Sequence, residues 1–539
     1  MDFLEEKHSV TETDYDDAQL LALGHKPAFE RNFSFLSMLG LAFAILDTWT
    51  ALSVSMSLAL PSGGPSSVIW GLVTSGVCNV CLAMSLSEFL SAFPTAGGQY
   101  HWVAFVSPPA CRRIFSWITG WINVGGWIAI SATGGLLGSQ LIVGLISLMH
   151  PSYESQRWHQ FLIYIAYVLL GFLINAFATK LLPLANKASF CWCMAGFLII
   201  CIVLLATASP DFADAKWVFG NFLNQTGWPN GIAWLLGLLQ GSFSLTAYDA
   251  VAHMIEEIPN ASVQGPKIMN ASVLVGISTG FIFLVVLLFV SGGPAKVNEV
   301  IQSSQTPLIH IFQVATKNNA AAVCLTLFPL ICLVFATLGF FTASSRMIFA
   351  FARENGMPFS NCFSHVHSRL KLPLNALALT TVVAILFGCV FLGSSDAFNA
   401  ITSSSVIALN LSYGIPIAIN CAQGRTKLPP RSYKLHPILG WTVNIVGLLY
   451  VAMTTVLFFF PPSIPVSGSS MNYAIVAFSL WLIICIISWF VFGRKDYEGP
   501  SLKAFIHESE CTPENIAIAN ADHTVYTIDE FKGKYEERK

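Results

Sequence analysis

The sequence predicts an all-α polytopic membrane protein with twelve transmembrane helices. Of its 539 residues, 54% are hydrophobic and only 10% are charged, whereas about 25% are charged in an average soluble domain. The apolar residues occur in runs of about 20 residues separated by short polar loops, and a run of this length crosses a bilayer as a helix. In addition, basic residues favour alternate loops, as they do in multi-span proteins.

Each run is bounded by Gly, Pro or polar residues, which mark the ends of the helices. The predicted spans cover residues 35–60, 68–93, 114–149, 160–180, 187–207, 231–257, 268–292, 321–352, 374–393, 398–421, 438–460 and 470–492. Together they form one helical domain, 35–493, between polar tails 1–34 and 494–539. The acidic start of the chain lacks the basic and apolar regions of a signal peptide, so the first span is expected to direct insertion.

Orientation follows from the basic residues. With the N-terminus in the cytoplasm, only Arg157, Lys216, Lys296 and Lys317 fall in external loops. This asymmetry predicts an even number of spans and two cytoplasmic termini. The sequon that begins at Asn224 then lies in an external loop, where it is a predicted glycosylation site.

Several classes of function are disfavoured. A net charge of -2 without a basic block argues against a nucleic-acid partner. Most of the 13 cysteines lie inside apolar runs without a metal-ligand pattern, so neither a metal site nor a cofactor is expected. Motifs of hydrolases, metalloproteases, nucleotide-binding loops and dinucleotide-binding folds are absent from the sequence, which argues against an enzyme and against direct ATP-driven pumping.

The sixth span is interrupted by polar residues. Residues 232–239 are apolar, but residues 240–249 include a carboxylate, a phenol and hydroxyls at the expected depth of the bilayer. Irregular backbone and charge are tolerated there only where they face protein or a water-filled cavity. The segment is therefore predicted to be a functional site, with Ser244, Thr246, Tyr248 and Asp249 as its candidate residues.

The first span is interrupted in the same way, by Asp47, Thr48, Trp49 and Thr50. Breaks in spans one and six predict two inverted five-helix repeats, followed by two C-terminal helices, with a substrate site where the broken helices meet. Asp47 either pairs with a cationic group of the substrate or caps the second half of its helix. Trp49 and Tyr248 either face that cation or pack in the core, and Asp249 either binds substrate or braces the break.

Two further sets of residues are candidates for coupling and gating. His253 follows Asp249 by one helical turn and titrates near physiological pH, so it is a candidate for proton coupling, with a structural donor as the alternative. The acids Glu88, Glu256 and Glu257 and the bases Arg346 and Arg353 fall at the cytoplasmic ends of spans. They form either an inner gate closed by ion pairs or anchors of the helix ends.

Three motifs carry a resemblance to a known family. SEFLSAFPTAGGQYHW, TAYDAVAHMIEEIPNA with GPKIMNA, and SSRMIFAFARENGMPFS with LPLNAL are similar to signatures of the fungal amino acid/choline transporter family. This family belongs to the amino acid, polyamine and organocation superfamily, and the resemblance extends over about residues 30 to 495. It implies twelve helices with inverted repeats and uptake of choline, 4-aminobutyrate, amino acids or related amines at the plasma membrane. It also implies that residues 47–50 and 244–249 hold the substrate.

The chain departs from the superfamily at two points. Its first break reads Asp-Thr-Trp-Thr instead of a glycine-rich segment, which disfavours a plain α-amino acid, and residues 190–205 lack the lysine of some proton-coupled relatives. We therefore expect a secondary transporter for choline or a related cation that works by alternating access, with protons as possible partners. The alternatives are a 4-aminobutyrate or amino acid permease of the same fold and a solute-sensing, transporter-like receptor.

Overall fold

The computed structural model describes residues 16, 20, 31, 33–178, 181–303, 306–467 and 471–500, and two short segments, 517–519 and 525–527. At 395–398 and in the two short segments, only the backbone is described. The predicted tails 1–34 and 494–539 therefore lie largely outside the described residues.

The described chain is a bundle of helices. They are Phe35–Leu46 (α1), Thr48–Val54 (α2), Met56–Ala59 (α3), Gly64–Ala92 (α4), Gln99–Val106 (α5), Arg112–Met149 (α6), Arg157–Phe177 (α7), Leu182–Ala208 (α8), Ala215–Gly220 (α9), Asn230–Ser244 (α10), Ala250–His253 (α11), Ala261–Val290 (α12), Val297–Gln302 (α13), Pro307–Thr316 (α14), Asn319–Arg353 (α15), Ser360–Phe363 (α16), Leu374–Gly393 (α17), Ser395–Ala422 (α18), Pro437–Leu457 (α19), Ala474–Ser488 (α20) and Arg494–Asp496 (α21). Single turns of 3₁₀ helix occur at Ile255–Glu257 and Gly293–Ala295, and one π turn at Trp489–Gly493. Two strands, Ala517–Ala519 (β1) and Val525–Thr527 (β2), pair antiparallel.

Eleven helical segments within the described ranges are long and apolar enough to cross a bilayer. This confirms the predicted polytopic, helical membrane fold. The predicted sixth span is not among the eleven, because its helix α10 ends after 15 residues at Ser244. The count of twelve spans and the inverted repeat stay predictions.

Packing of the helices follows from small residues on their faces. Helix α12 packs along α4 and α1, and α15 packs along α6. Gly276 and Gly280, one turn apart on α12, lie directly under α2: a Cβ atom on Gly276 would come within 2.5 Å of the Thr48 hydroxyl. Only glycine allows so close an approach, so this pair of residues determines where the first broken helix sits.

Candidate functional site

The first helix breaks at a single residue, Asp47. Its backbone is left-handed (φ 39°, ψ 40°), and it separates α1 from α2. The main chain alone bridges the gap, since Asp47 N–H donates to Phe43 O and Asp47 O accepts from Ala51 N–H. The side chain makes no capping hydrogen bond, so the capping role considered from the sequence is not the one seen. A left-handed conformation is costly for a residue other than glycine and is typical of functional sites.

The carboxyl group of Asp47 is buried without a hydrogen-bond partner. The residue is 2% exposed, and neither carboxylate oxygen has a partner within the described part of the chain. The Thr50 hydroxyl lies beside the carboxyl group but outside hydrogen-bond geometry. The thiols of Cys193 on α8 and Cys332 on α15 lie within 4.8 Å of one of the Asp47 carboxylate oxygens. A buried polar group without a partner is rare in folded proteins and requires an explanation.

The neighbours of Asp47 at the first break also carry unpaired polar atoms. Thr48 Oγ1, Thr50 Oγ1 and Trp49 Nε1 are buried without a partner among the residues described. The Trp49 ring packs edge-on against Phe283 of α12, with ring centroids 4.9 Å apart. The break thus brings several unused donors close to one unused acid.

The second break spans the residues between α10 and α11. Ala247 has φ 82°, and its N–H donates to the hydroxyl of Tyr413 on α18 (3.1 Å). Ser244 Oγ and Tyr248 Oη are buried without a described partner, whereas Thr246 Oγ1 donates to Ser242 O (2.7 Å). Tyr248 packs against Tyr413, with centroids 5.1 Å apart. Trp49 and Tyr248 thus pack against different rings, Phe283 of α12 and Tyr413 of α18, and their contact with substrate stays a prediction.

Asp249 has the opposite environment from Asp47. Its Oδ2 accepts from Gln99 Nε2 (2.7 Å) and Trp127 Nε1 (3.3 Å), and its Oδ1 accepts from Tyr413 Oη (2.5 Å). The group is fully buried. These donors come from α5, α6 and α18, so Asp249 joins three helices to the break. Of the two roles considered for this residue, the observed contacts match bracing.

His253 contacts a backbone carbonyl and the carboxyl group of Asp249. Its Nδ1 lies 2.9 Å from Ala96 O, and its Nε2 lies 3.2 Å from Asp249 Oδ2. Nδ1 must carry a hydrogen, because a backbone carbonyl cannot donate. The imidazole therefore links the segment around Ala96 to Asp249 at the second break.

Four of the five predicted gate residues meet at one end of the bundle. Arg346 Nε lies 2.9 Å from Glu257 Oε1, and Arg353 uses both terminal nitrogens to reach both oxygens of Glu256, at 3.1 and 3.4 Å. All but Arg353 are buried, and Glu256 also accepts from Ala96 N–H. These two pairs join the end of α15 to the turn that follows α11.

Glu88 is not part of this layer. It pairs with Arg425 (2.6 Å) and Arg431 (2.5 Å), which follow α18, and it accepts from Leu435 N–H (3.0 Å). Glu88 is buried, so this cluster ties the loop between α18 and α19 to the end of α4. The sequence did not indicate these partners, because they lie far apart along the chain.

A second buried histidine was missed by the sequence analysis. His101 of α5 contacts Glu354 through Nε2, and its Nδ1 lies 2.6 Å from Thr95 Oγ1. Burial, together with the positive charge of Arg353, lowers the pKa of His101 well below its usual range. The ring is therefore neutral, donating to Glu354 and accepting from Thr95. In the sequence, the polar residues within the motif that ends span two were the one sign of a buried polar contact there.

Asn224 lies in the loop before α10. Its Nδ2 donates to Trp228 O (2.7 Å) and to Asn230 Oδ1 (3.0 Å), and its Oδ1 accepts from Thr226 Oγ1 (2.8 Å). The nitrogen that would carry a glycan is thus hydrogen-bonded in the folded chain. Glycosylation at this position stays a prediction.

Known proteins are similar in sequence to this chain over most of its length. Residues 33–484 match the family model described as amino acid permease. A Macrophomina phaseolina protein named "Putative amino acid/polyamine transporter" is 35% identical over 82% of this chain and 97% of its own. The choline transporter of Saccharomyces cerevisiae is 31% identical over 90% of this chain and 86% of its own, and an uncharacterized amino-acid permease of Schizosaccharomyces pombe is 31% identical over 92% of both. The chain therefore belongs to the amino acid permease family, a family of membrane transporters and not of enzymes.

Proposed function

We propose that the chain carries a small amine-bearing solute, choline or a related cation, across the plasma membrane by alternating access. The single observation that carries this assignment is the buried, unpartnered carboxyl of Asp47 at the break of the first helix. An unpaired acid inside a membrane is costly, and a cationic ligand would offset that cost. One similar protein is named a choline transporter.

A specific observation also favours the alternative substrate, 4-aminobutyrate or another amino acid. Thr48, Trp49, Ser244 and Tyr248 each offer a buried donor that has no partner in the described structure. A carboxylate would accept hydrogen bonds from such donors, whereas choline has only one hydroxyl to offer. The two candidate substrates therefore differ in the group that these donors would meet: a carboxylate in 4-aminobutyrate or another amino acid, and a hydroxyl in choline.

Protons are proposed as the coupling ion. His253 lies beside the second helix break, between Ala96 O and the carboxyl group of Asp249. An imidazole that gains or loses a proton changes which hydrogen bonds it can donate, so protonation there would alter the link between α11 and the segment around Ala96. Proton binding and the shape of the break would then be linked, as coupling requires.

The ion pairs at the end of α15 are proposed to close the cytoplasmic side. Glu256 and Glu257 follow the broken sixth helix directly, so movement of α11 would pull on Arg346 and Arg353. Glu88 with Arg425 and Arg431 would hold a neighbouring loop against α4. When the gate opens, these ion pairs would separate and water would hydrate the charged side chains.

The first experiment is uptake of radiolabelled choline and of 4-aminobutyrate in cells that lack their own carriers. We expect choline to accumulate and a protonophore to reduce its accumulation. Accumulation of 4-aminobutyrate alone would favour the amino acid alternative. Saturable binding of either compound to the purified chain without accumulation would favour the receptor.

A matched pair of variants tests the role of Asp47. Asp47→Asn should lower choline uptake by about 10-fold or more, because the quaternary ammonium would pair with the carboxylate by charge and removing one member of a buried ion pair typically costs about 3–5 kcal/mol. Asp211→Asn is the control, since this exposed acid pairs with Lys317 on the surface and such pairs contribute little. Unchanged choline uptake by Asp47→Asn at equal surface expression would contradict the assignment.

A further inference from the structure

Asp47 shares its surroundings with two thiols from distant parts of the sequence. Cys193 lies in the middle of α8, and Cys332 lies in the middle of α15. Their Sγ atoms are 3.2 Å apart, and both lie within 4.8 Å of a carboxylate oxygen of Asp47. Three helical segments therefore converge on one point through three ligand-type atoms.

The rest of the chain makes little use of these atoms. Both cysteines are buried, and their thiols lie against each other; the Thr50 hydroxyl lies beside the Cys332 thiol. Asp47 is 98% buried and has no hydrogen-bond partner in the described structure. A buried carboxylate aimed at a thiol pair is an unusual arrangement for a purely structural cluster, because each group would prefer a donor or an ion.

Two thiolates and a carboxylate are ligands that zinc accepts. Zinc binds cysteine sulfur at about 2.3 Å and carboxylate oxygen at about 2.0–2.2 Å, with tetrahedral geometry. Two sulfurs on one tetrahedral zinc ion would be about 3.8 Å apart, so the observed pair would have to separate by about 0.6 Å. Three protein ligands leave the fourth position open.

We propose that Asp47, Cys193 and Cys332 form a binding site for one thiophilic divalent metal ion of the zinc class. On binding, each thiol loses its proton to solvent, and the ion with two thiolates and one carboxylate carries a net charge of -1. The bound ion would tie α8 and α15 to the break between α1 and α2. The proposal revises the sequence-based expectation of no metal site. Because it uses the carboxyl group that the proposed function assigns to a cationic solute, zinc and such a solute would compete for Asp47, and the sulfur ligands of zinc distinguish the metal site from the solute site.

The unmodified chain provides the first test. Full-length protein is purified in detergent with a phosphine reductant, in buffer containing zinc, and then freed of loose metal by gel filtration. We expect one zinc ion per chain, with X-ray absorption that shows two sulfur ligands at about 2.3 Å. Zinc bound only through nitrogen or oxygen, or no retained zinc, would overturn the proposal.

Variants provide the second test, with zinc affinity as the readout. Cys193→Ser and Cys332→Ser should each weaken zinc binding by more than about 100-fold, beyond the 10–100-fold typical of losing a supporting residue. Asp47→Asn should weaken it while leaving the two sulfur ligands in place. Cys201→Ser is the matched control, because Cys201 is another buried cysteine of α8 that does not belong to this group, and it should leave affinity unchanged. Equal affinity in wild type and Cys332→Ser would exclude the site.

Discussion

The two acids at the helix breaks show how little residue type alone says about role. Asp47 and Asp249 are both buried aspartates next to a half-helix. Asp249 accepts from Gln99, Trp127 and Tyr413, whereas Asp47 accepts from no described donor. The carboxyl group of Asp249 is therefore satisfied by protein donors, whereas burial of the Asp47 carboxyl is not offset by any described donor.

These environments predict different effects of the same substitution on stability. Asp249→Asn places an amide N–H against donors that now face a carboxylate, and breaking a buried charged network typically costs about 3–5 kcal/mol. Asp47→Asn removes no described hydrogen bond, so the folded state should lose nothing. Thermal unfolding in detergent should therefore show a lower transition temperature for Asp249→Asn alone. A lower temperature for Asp47→Asn alone would contradict this description of both sites.

His253 provides the residue-level test of proton coupling. Gln can donate to one of the two partners of His253, but it does not titrate in the physiological range. In proteoliposomes with the membrane potential clamped, His253→Gln should keep downhill exchange of substrate and lose accumulation driven by a pH gradient. His150→Gln, an exposed histidine at the end of α6, is the control. Wild-type accumulation by the His253 variant would show that coupling resides elsewhere.

At the level of elements, the breaks were predictable and their contacts were not. Polar residues inside apolar runs predicted the first break at residues 47–50 and the second within residues 240–249. In the structure the first helix breaks at Asp47 alone, with residues 48–50 already helical, and the sixth after Ser244. These signals are local, because a helix interrupted at bilayer depth must expose backbone groups. The pairing of Glu88 with Arg425 and the meeting of Cys193 with Cys332 depend on tertiary packing, which no local pattern encodes.

The ion pair between α15 and the turn after α11 can be tested by charge exchange. Arg346→Glu and Glu257→Arg should each strongly reduce uptake, because each leaves two like charges in a buried position. The double variant restores opposite charges and should recover part of the lost uptake. An exchange of Lys317 and Asp211, an exposed pair, should have little effect at any step. Strictly additive losses in the double-mutant cycle would argue against a functional pair.

At the scale of the whole molecule, different contacts join the elements at the two ends of the bundle. One end carries the pairs of Arg346 and Arg353 with Glu257 and Glu256. At the other end, backbone bonds hold the loop before α10: Gln225 N–H donates to Pro61 O (2.8 Å), and Ile464 N–H donates to Thr226 O (2.7 Å). Charged pairs regain hydration when they separate, so the charged end suits repeated opening and closing. This difference agrees with a gate on the predicted cytoplasmic side.

The predicted orientation makes a direct prediction for the molecule in cells. Asn224 lies at the end with the backbone-held loop, and a second sequon, Asn260-Ala261-Ser262, lies next to Glu256 and Glu257 at the charged end. Asn224 should therefore be the one of the two that is glycosylated, so a glycosidase should increase gel mobility of wild type and Asn260→Gln but not of Asn224→Gln.

Independently, an impermeant thiol reagent should label Cys362, an exposed residue after α15, only in permeabilised cells. Labelling of Cys362 in intact cells, or a glycan at Asn260, would mean that the orientation is inverted and that the charged gate faces the outside.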